Sequence, residues 1–329
     1  MIIPIVGASA LEFWLSGVSA FPANQFSIKN RKLVSLPEEY FVDYQEKNYK
    51  DISSQYGLSL PIQIMVNKDA DRKSGNYFHI CMRPKTLPDK SFIRLDNNIY
   101  ISSPELCFIQ MANVLPLPKL VETANDFCAM YSLKPNATLQ QIARDPIIST
   151  QSIMSFLEKT KGLAGIKKAR QAISYAVDAS FSPKESELAA LASIRLSLGG
   201  YGMPKPGLNR DILLSEDAAK ILGRKTCCCD LVWEKQGVIV EYDSNLTHLS
   251  TNQHAYDKRK TNALNMSGYK VFYVTAENMN SFKNIEATFS NLRKMLGLRP
   301  MKSSMAKYES IRREAVHDIV FTPWRKYIK

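Results

Sequence analysis

Hydrophobic and polar positions along the chain fall into two regimes. Over residues 59–101, short apolar runs at 62–66, 77–81 and 99–101 are broken by Lys, Asp, Pro and Gly, the pattern of short strands. Beyond residue 101 the pattern turns helical. Ser102-Ser103-Pro104-Glu105 joins a capping serine to a first-turn proline and glutamate, so a helix is expected over 106–114. Further helices are expected over 119–131, after a Pro-Leu-Pro break, and over 138–143, 153–158 and 166–177.

The second half reads more cleanly. Ser182-Pro183-Lys184-Glu185 opens a helix that carries Leu188, Leu191, Ile194 and Leu198 at helical spacing, and Gly199-Gly200 stops it. After a Gly- and Pro-rich loop over 200–207, residues 227–233 and 238–243 form two strands separated by Glu234-Lys235-Gln236-Gly237. A polar helix over 252–266 ends at Gly268, and a strand over 269–275 follows. The order is helix, hairpin, helix, strand. Residues 302–329 have the character of a basic helical tail. Because 329 residues exceed what one core usually organises, the expected division is an α+β domain over 1–178 that ends in a helical bundle, an α/β domain over 179–297, and the tail over 298–329.

Composition adds a partner class. Hydrophobic residues make up 45% and charged residues 22%, ordinary for a folded chain, but a net charge of +12 is not. A surplus of that size favours a polyanion, and nucleic acid is the commonest; a merely basic soluble protein is the plainer alternative. No run of about 18 apolar residues exists, so no membrane span is expected. The first residues lack a basic n-region, and Glu12 interrupts the apolar stretch, so they are not read as a signal peptide. Six cysteines include no C-x-x-C pair, and three stand together at Cys227, Cys228 and Cys229. With four histidines in the chain a structural zinc site is not expected; the cysteines read as small apolar residues in a reducing, cytoplasmic setting.

The hairpin carries the chemistry. A four-residue loop over 234–237 places Trp233 opposite Val238, and counting back places Asp230 opposite Glu241. Alternation then puts Asp243 on the face of Glu241, with Cys229, Leu231, Trp233, Val238, Val240 and Tyr242 on the other. Opposed carboxylates repel. A divalent cation accounts for them, because Mg²⁺ (or Mn²⁺) prefers carboxylate oxygens and keeps waters that can attack a phosphodiester. A solvated edge hairpin is the alternative, although Cys228, Val232 and Ile239 would share its wet face.

An acid on one strand, Glu-x-Asp on the next, a His, a helix with D-x-R and then Gly-Tyr-x-Val resembles the restriction-endonuclease-like fold. More narrowly it is similar to the very-short-patch-repair-like endonuclease domains that also form the C-terminal part of AbiEi-like abortive-infection proteins. The matching residues are Asp230, Glu241-Tyr242-Asp243, His248, Asp257-Lys258-Arg259, Leu264 and Gly268-Tyr269-Lys270-Val271, with Ser182-Pro183-Lys184-Glu185 upstream. The resemblance implies a C-terminal restriction-endonuclease-like mixed sheet flanked by helices and a metal-dependent endonuclease acting on DNA in phage defence or repair. Asp230 and Glu241 would be metal ligands, Asp243 a further ligand or water-positioner, and His248 the general base. Asp243 stands where many relatives of the wider fold carry the lysine of E-x-K, and His248 lies five residues after Asp243 rather than four. Ser9 to Trp14 and residues 66–130 resemble, diffusely, the front of the same proteins.

Individual residues keep alternatives. Glu185 fits a capping box as well as a metal site. His248 competes with His254. Lys258, Arg259 and Lys260 could grip phosphates or simply face solvent, and Asp257 can pair locally with Lys260 or Thr261. Basic and aromatic residues of the tail suit either strand binding or packing against the body. A second functional class stays open: a non-catalytic nuclease-fold regulator or antitoxin with a toxin or defence-operon protein as its partner. A third, a DNA-binding regulator working through the first half, lacks a recognisable recognition helix.

Overall fold

A computed structural model describes residues 1–15, 25, 30–67, 75–133, 141–243, 251–301 and 308–327. The chain is a mixed α/β protein that divides into two units, Met1–Ser174 with Trp324–Lys329, and Tyr175–Pro323. Residues of the expected 298–329 tail are thus shared between the two.

The first unit is built on a six-stranded sheet. Its strands are β1 (Ile3–Ile5), β2 (Leu33–Val34), β3 (Ile62–Val66), β4 (Phe78–Met82), β5 (Phe92–Arg94) and β6 (Ile99–Ser102), in the order β2-β5-β6-β1-β3-β4. The β1/β6 and β3/β4 pairs are parallel and the others antiparallel. The helices are α1 (Gly7–Leu15), α2 (Glu46–Tyr56), α3 (Pro104–Met111), α4 (Leu117–Phe127), α5 (Thr150–Lys159) and α6 (Ile166–Ile173). Ser103 caps α3, accepting from the Leu106 N–H as its pattern suggested. The buried α1 carries Phe13 and Trp14 into the core, where the Trp14 indole donates to the Ser102 carbonyl at 3.0 Å.

A small hairpin, β7 (Tyr131–Leu133) with β8 (Gln141–Ala143), corrects the helix expected over 138–143: residues 141–143 pair antiparallel with 131–133. An isolated propensity over six residues yields readily to a ladder with a partner strand.

In the second unit, α7 (Pro183–Ser193), β9 (Gly207–Leu213), α8 (Glu216–Leu222), β10 (Thr226–Trp233), β11 (Val238–Asp243), α9 (Thr251–Met266), β12 (Lys270–Thr275), α10 (Phe282–Met295) and α11 (Glu309–Val316) follow in order. The four-stranded sheet runs β12-β11-β10-β9, with β11 and β12 parallel. The hairpin and the flanking helix and strand fall where the sequence placed them. β9, α8 and α10 extend that order. In β9 the apolar Leu208 and Ile212 are four apart with Asn209-Arg210-Asp211 between them, and such spacing conceals an edge strand.

The tail is held by side chains rather than by charge alone. Arg312 is buried and donates to Glu286 of α10 at 2.9 Å, and Ala315, Val316 and Ile319 are buried with it. Among the described residues no helix is long and apolar enough to cross a membrane.

Candidate functional site

The β10–β11 hairpin closes through a short 3₁₀ turn over Glu234–Gln236 and Gly237 in a left-handed conformation, φ 62°. A side chain there would be strained, and its Cβ would stand 3.2 Å from the Gly268 carbonyl. The register is Trp233 opposite Val238, Val232 opposite Ile239 and Leu231 opposite Val240. The paired register ends there; one step beyond it stand Asp230 and Glu241, near enough for Asp230 to add to the rise in the Glu241 pKa that burial causes.

The faces are less simple than alternation predicts. Cys227, Cys229, Val232 and Ile239 share one core with Ala218 and Leu222 of α8 and Ala263 and Leu264 of α9. Strict alternation would separate Cys229 from Val232. The change falls at Asp230, whose partner on β9, Asn209, has φ 48° and is skipped by the ladder, while the register on either side is unchanged. The strand therefore twists locally without gaining a residue. This counts against the solvated edge hairpin: Val232 and Ile239 are buried under α8 and α9, and Cys228 alone of the three cysteines is exposed.

At this twist the Asp230 carboxylate accepts the Tyr242 backbone N–H at 2.8 Å. Burial raises its pKa, opposed by that N–H and by Lys260. Burial raises the pKa of both Glu185 and Glu241, and the charge of Asp230 adds to each rise.

Glu241 is 7% exposed. Its Oε2 pairs with Lys260 Nζ of α9 at 2.9 Å, while its buried Oε1 has no hydrogen-bond partner among the described residues. Burial, reinforced by Asp230, raises its pKa to about 7, and Lys260 only partly offsets the rise. Burial opposes the charge on Lys260, but Glu241, with Cys227 and Cys229 behind it, holds the ammonium above its ordinary range. The Cys227 thiol is drawn below its ordinary range by a hydrogen bond from Cys229, against its burial and with help from Lys260.

Glu185 is a cap first. Its Oε2 accepts from the Phe181 N–H at 2.8 Å and from Asn209 Nδ2 at 2.7 Å, its Oε1 accepts from Ser182 Oγ at 2.8 Å, and Ser182 Oγ accepts the Glu185 N–H in return. Both oxygens are committed. Glu185 consequently acts on the hairpin through Asn209, the residue opposite the twist.

Asp243 ends β11, half-buried, opposite Thr275 of β12. His248 lies outside the described residues, as does the side chain of His254. On α9, Lys258 and Arg259 are exposed, whereas Lys260 is turned to Glu241. Lys260 was legible only as one member of a basic run, because its partner is set by how α9 crosses the sheet.

A divalent cation fits this donor set in a restricted form. Mg²⁺ typically takes one or two carboxylates from a protein and fills its shell with water and phosphate oxygens. Asp230 and Glu241 supply two, and the orphaned Glu241 Oε1 supplies an uncommitted oxygen. A three-ligand cage does not fit: among the described residues no group of three or more His, Cys, Asp and Glu is placed to hold a metal ion. Comparison with family models, curated proteins and solved structures finds no match to this chain.

Proposed function

We propose that the second unit is a restriction-endonuclease-like domain that hydrolyses phosphodiester bonds of nucleic acid, DNA in the first instance, with Mg²⁺ or Mn²⁺. The observation that carries this reading is the Asp230–Glu241 pair. Two carboxylates stand one step beyond the Leu231–Val240 pair, their charges oppose each other in a buried setting, and one oxygen of Glu241 has no hydrogen-bond partner among the described residues. Such an arrangement costs stability unless it serves a cation or a proton. The four-stranded sheet with parallel β11 and β12, and helices covering it, agrees with the same fold.

In this reading Asp230 and Glu241 hold the metal, which when bound supplies charge neutralisation at the phosphate and acidifies water. The Tyr242 N–H orients Asp230 by fixing one of its oxygens. Lys260 holds Glu241 in place and keeps a positive charge beside the scissile phosphate. Glu185 positions the twist through Asn209. Asp243, at the strand end, is a water-positioner, and His248 is the candidate base by resemblance alone. Lys258 and Arg259, exposed on the same helix, contact strand phosphates, where each contact adds salt-dependent affinity.

The test is cleavage of single- and double-stranded DNA with Mg²⁺ or Mn²⁺ by wild type and by Glu241→Ala. Metal-dependent cutting that disappears in the variant supports the reading. Absence of cutting on any substrate, together with absence of metal binding by calorimetry, overturns it.

Two observations favour a second reading, a non-catalytic nuclease-fold regulator or antitoxin: Lys260 already neutralises Glu241, and no three-ligand group is present among the described residues. In that case the protein binds DNA or a toxin-like partner without metal-dependent hydrolysis.

A further inference from the structure

Within the first unit lies a cavity of about 710 Å³, a size typical of small-molecule sites. Its polar end is built where β1 passes into α1. Gly7 has φ 56°, and a Cβ there would fall 2.2 Å from Gln63 Oε1. Only glycine admits the close approach that follows. The Gly7 N–H donates to Gln110 Oε1 at 3.0 Å, and the Ala8 N–H donates to Gln63 Oε1 at 2.6 Å.

The first two amides of α1 are therefore already satisfied, and the helix end offers little by itself. The consequence lies in the two glutamines. A backbone N–H must meet an oxygen, so each glutamine turns its carbonyl to the helix and keeps its amide nitrogen for elsewhere. Neither nitrogen has a partner among the described residues, and both side chains line the cavity. Two amide donors, polarised by the helix end through their own carbonyls, thus stand at one end of the space.

The rest of the wall is different. Met65, Cys81, Leu106, Ile109, Met111 and Leu163 make it apolar, and Trp324 closes it from the C-terminal segment. The acid of the lining, Glu12, accepts the Ser59 N–H at 2.7 Å and is neutralised by Arg325 at 2.9 Å. No uncompensated negative charge at Glu12 repels an anion. Methionine-rich walls also adapt their shape to an occupant.

We propose that this cavity binds a small molecule with a carboxylate or phosphate head, held by Gln63 and Gln110, on an apolar body. It is independent of the hairpin acids and would give the first unit a ligand-sensing role. Fatty acids and nucleotides share this chemistry, and competition separates them.

The probe is 8-anilinonaphthalene-1-sulfonate, whose sulfonate and rings mimic head and body, titrated by fluorescence into the full-length protein. Val114 and Ala164 are exposed at the rim, so Val114→Trp and Ala164→Trp fill the entrance without disturbing the core. Saturable one-to-one binding that weakens about tenfold or more in both variants, with unchanged near-ultraviolet circular dichroism, is expected. Equal binding by wild type and both variants overturns the site.

Decanoate or AMP should displace the probe, and whichever does so identifies the source; displacement by neither overturns the proposal. 1-Decanol, which keeps the apolar body without the acid, should compete about tenfold less well than decanoate if decanoate is the better ligand, and equal competition overturns the head assignment. Gln110→Met should weaken the acid competitor about fivefold while leaving the rim variants' behaviour unchanged.

Discussion

Lys260 on α9 and Glu241 on β11 form a largely buried ion pair, Nζ to Oε2 at 2.9 Å, and the second Glu241 oxygen has no hydrogen-bond partner among the described residues. The pair ties a helix to the strand that carries the candidate site. It also sets the acid–base behaviour of the hairpin, because the charge on Glu241 is tolerable only while Lys260 faces it.

Removing the lysine should therefore act as removal of half a buried pair. Lys260→Met is expected to lose about 3 kcal/mol of unfolding free energy at pH 8, where Glu241 must either remain charged without a partner or take up a proton. The loss should be smaller at pH 5, where Glu241 is protonated. Urea titration at both pH values checks this, and equal losses would count against a charge on Glu241 at pH 8.

The sign of the pH dependence follows from Glu241 itself. Its folded pKa, about 7, is above its ordinary 4.5. A raised pKa contributes stability that is fully present below the unfolded value and lost as pH rises through the folded one. Wild type should thus lose about 3 kcal/mol relative to Glu241→Gln between pH 4.5 and 8. The Tm difference between the two proteins, followed across this window without divalent metal, decides it; a flat difference would contradict the raised pKa.

Metal should reverse part of that loss. A cation bound to the ionised acids stabilises the folded state by mass action, by about 2.7 kcal/mol at a hundredfold excess over its Kd. Adding Mg²⁺ at pH 8 should raise the Tm of wild type but not that of Asp230→Asn. A Tm rise of equal size in the variant would place the metal elsewhere.

Asn209 offers a structural test of the twist. It donates from Nδ2 to Glu185 and to the Ala179 carbonyl at 2.8 Å, in a left-handed backbone conformation. Asn209→Ala should lose about 2 kcal/mol from broken bonds and backbone strain together. Asn209→Gly should recover only the backbone share, about 1 kcal/mol. Denaturant midpoints that rank glycine no better than alanine would remove backbone strain as a factor.

What the residues alone determined about this protein was local. The capping serines Ser103 and Ser182, the strands over 62–66 and 238–243, and the helix ending before Gly268 follow from signals a few residues long. The pairing of Trp233 with Val238 was equally legible, because a hairpin register depends on the loop between the strands.

Tertiary structure decided the rest. Sequence alternation could not register the twist at Asp230, since that twist depends on Asn209, a residue twenty-one positions away on a strand whose apolar spacing conceals it. Nor could it show that Lys260, alone among three adjacent basic residues, turns inward; that choice is made by how α9 crosses β11. The cavity above Gly7 depends on glutamines at 63 and 110 that meet only when β3 and α3 are assembled around α1. Each of these features depends on a contact between elements distant in the chain, and pairings of that kind are selected by packing and burial of the whole unit, which no local periodicity encodes.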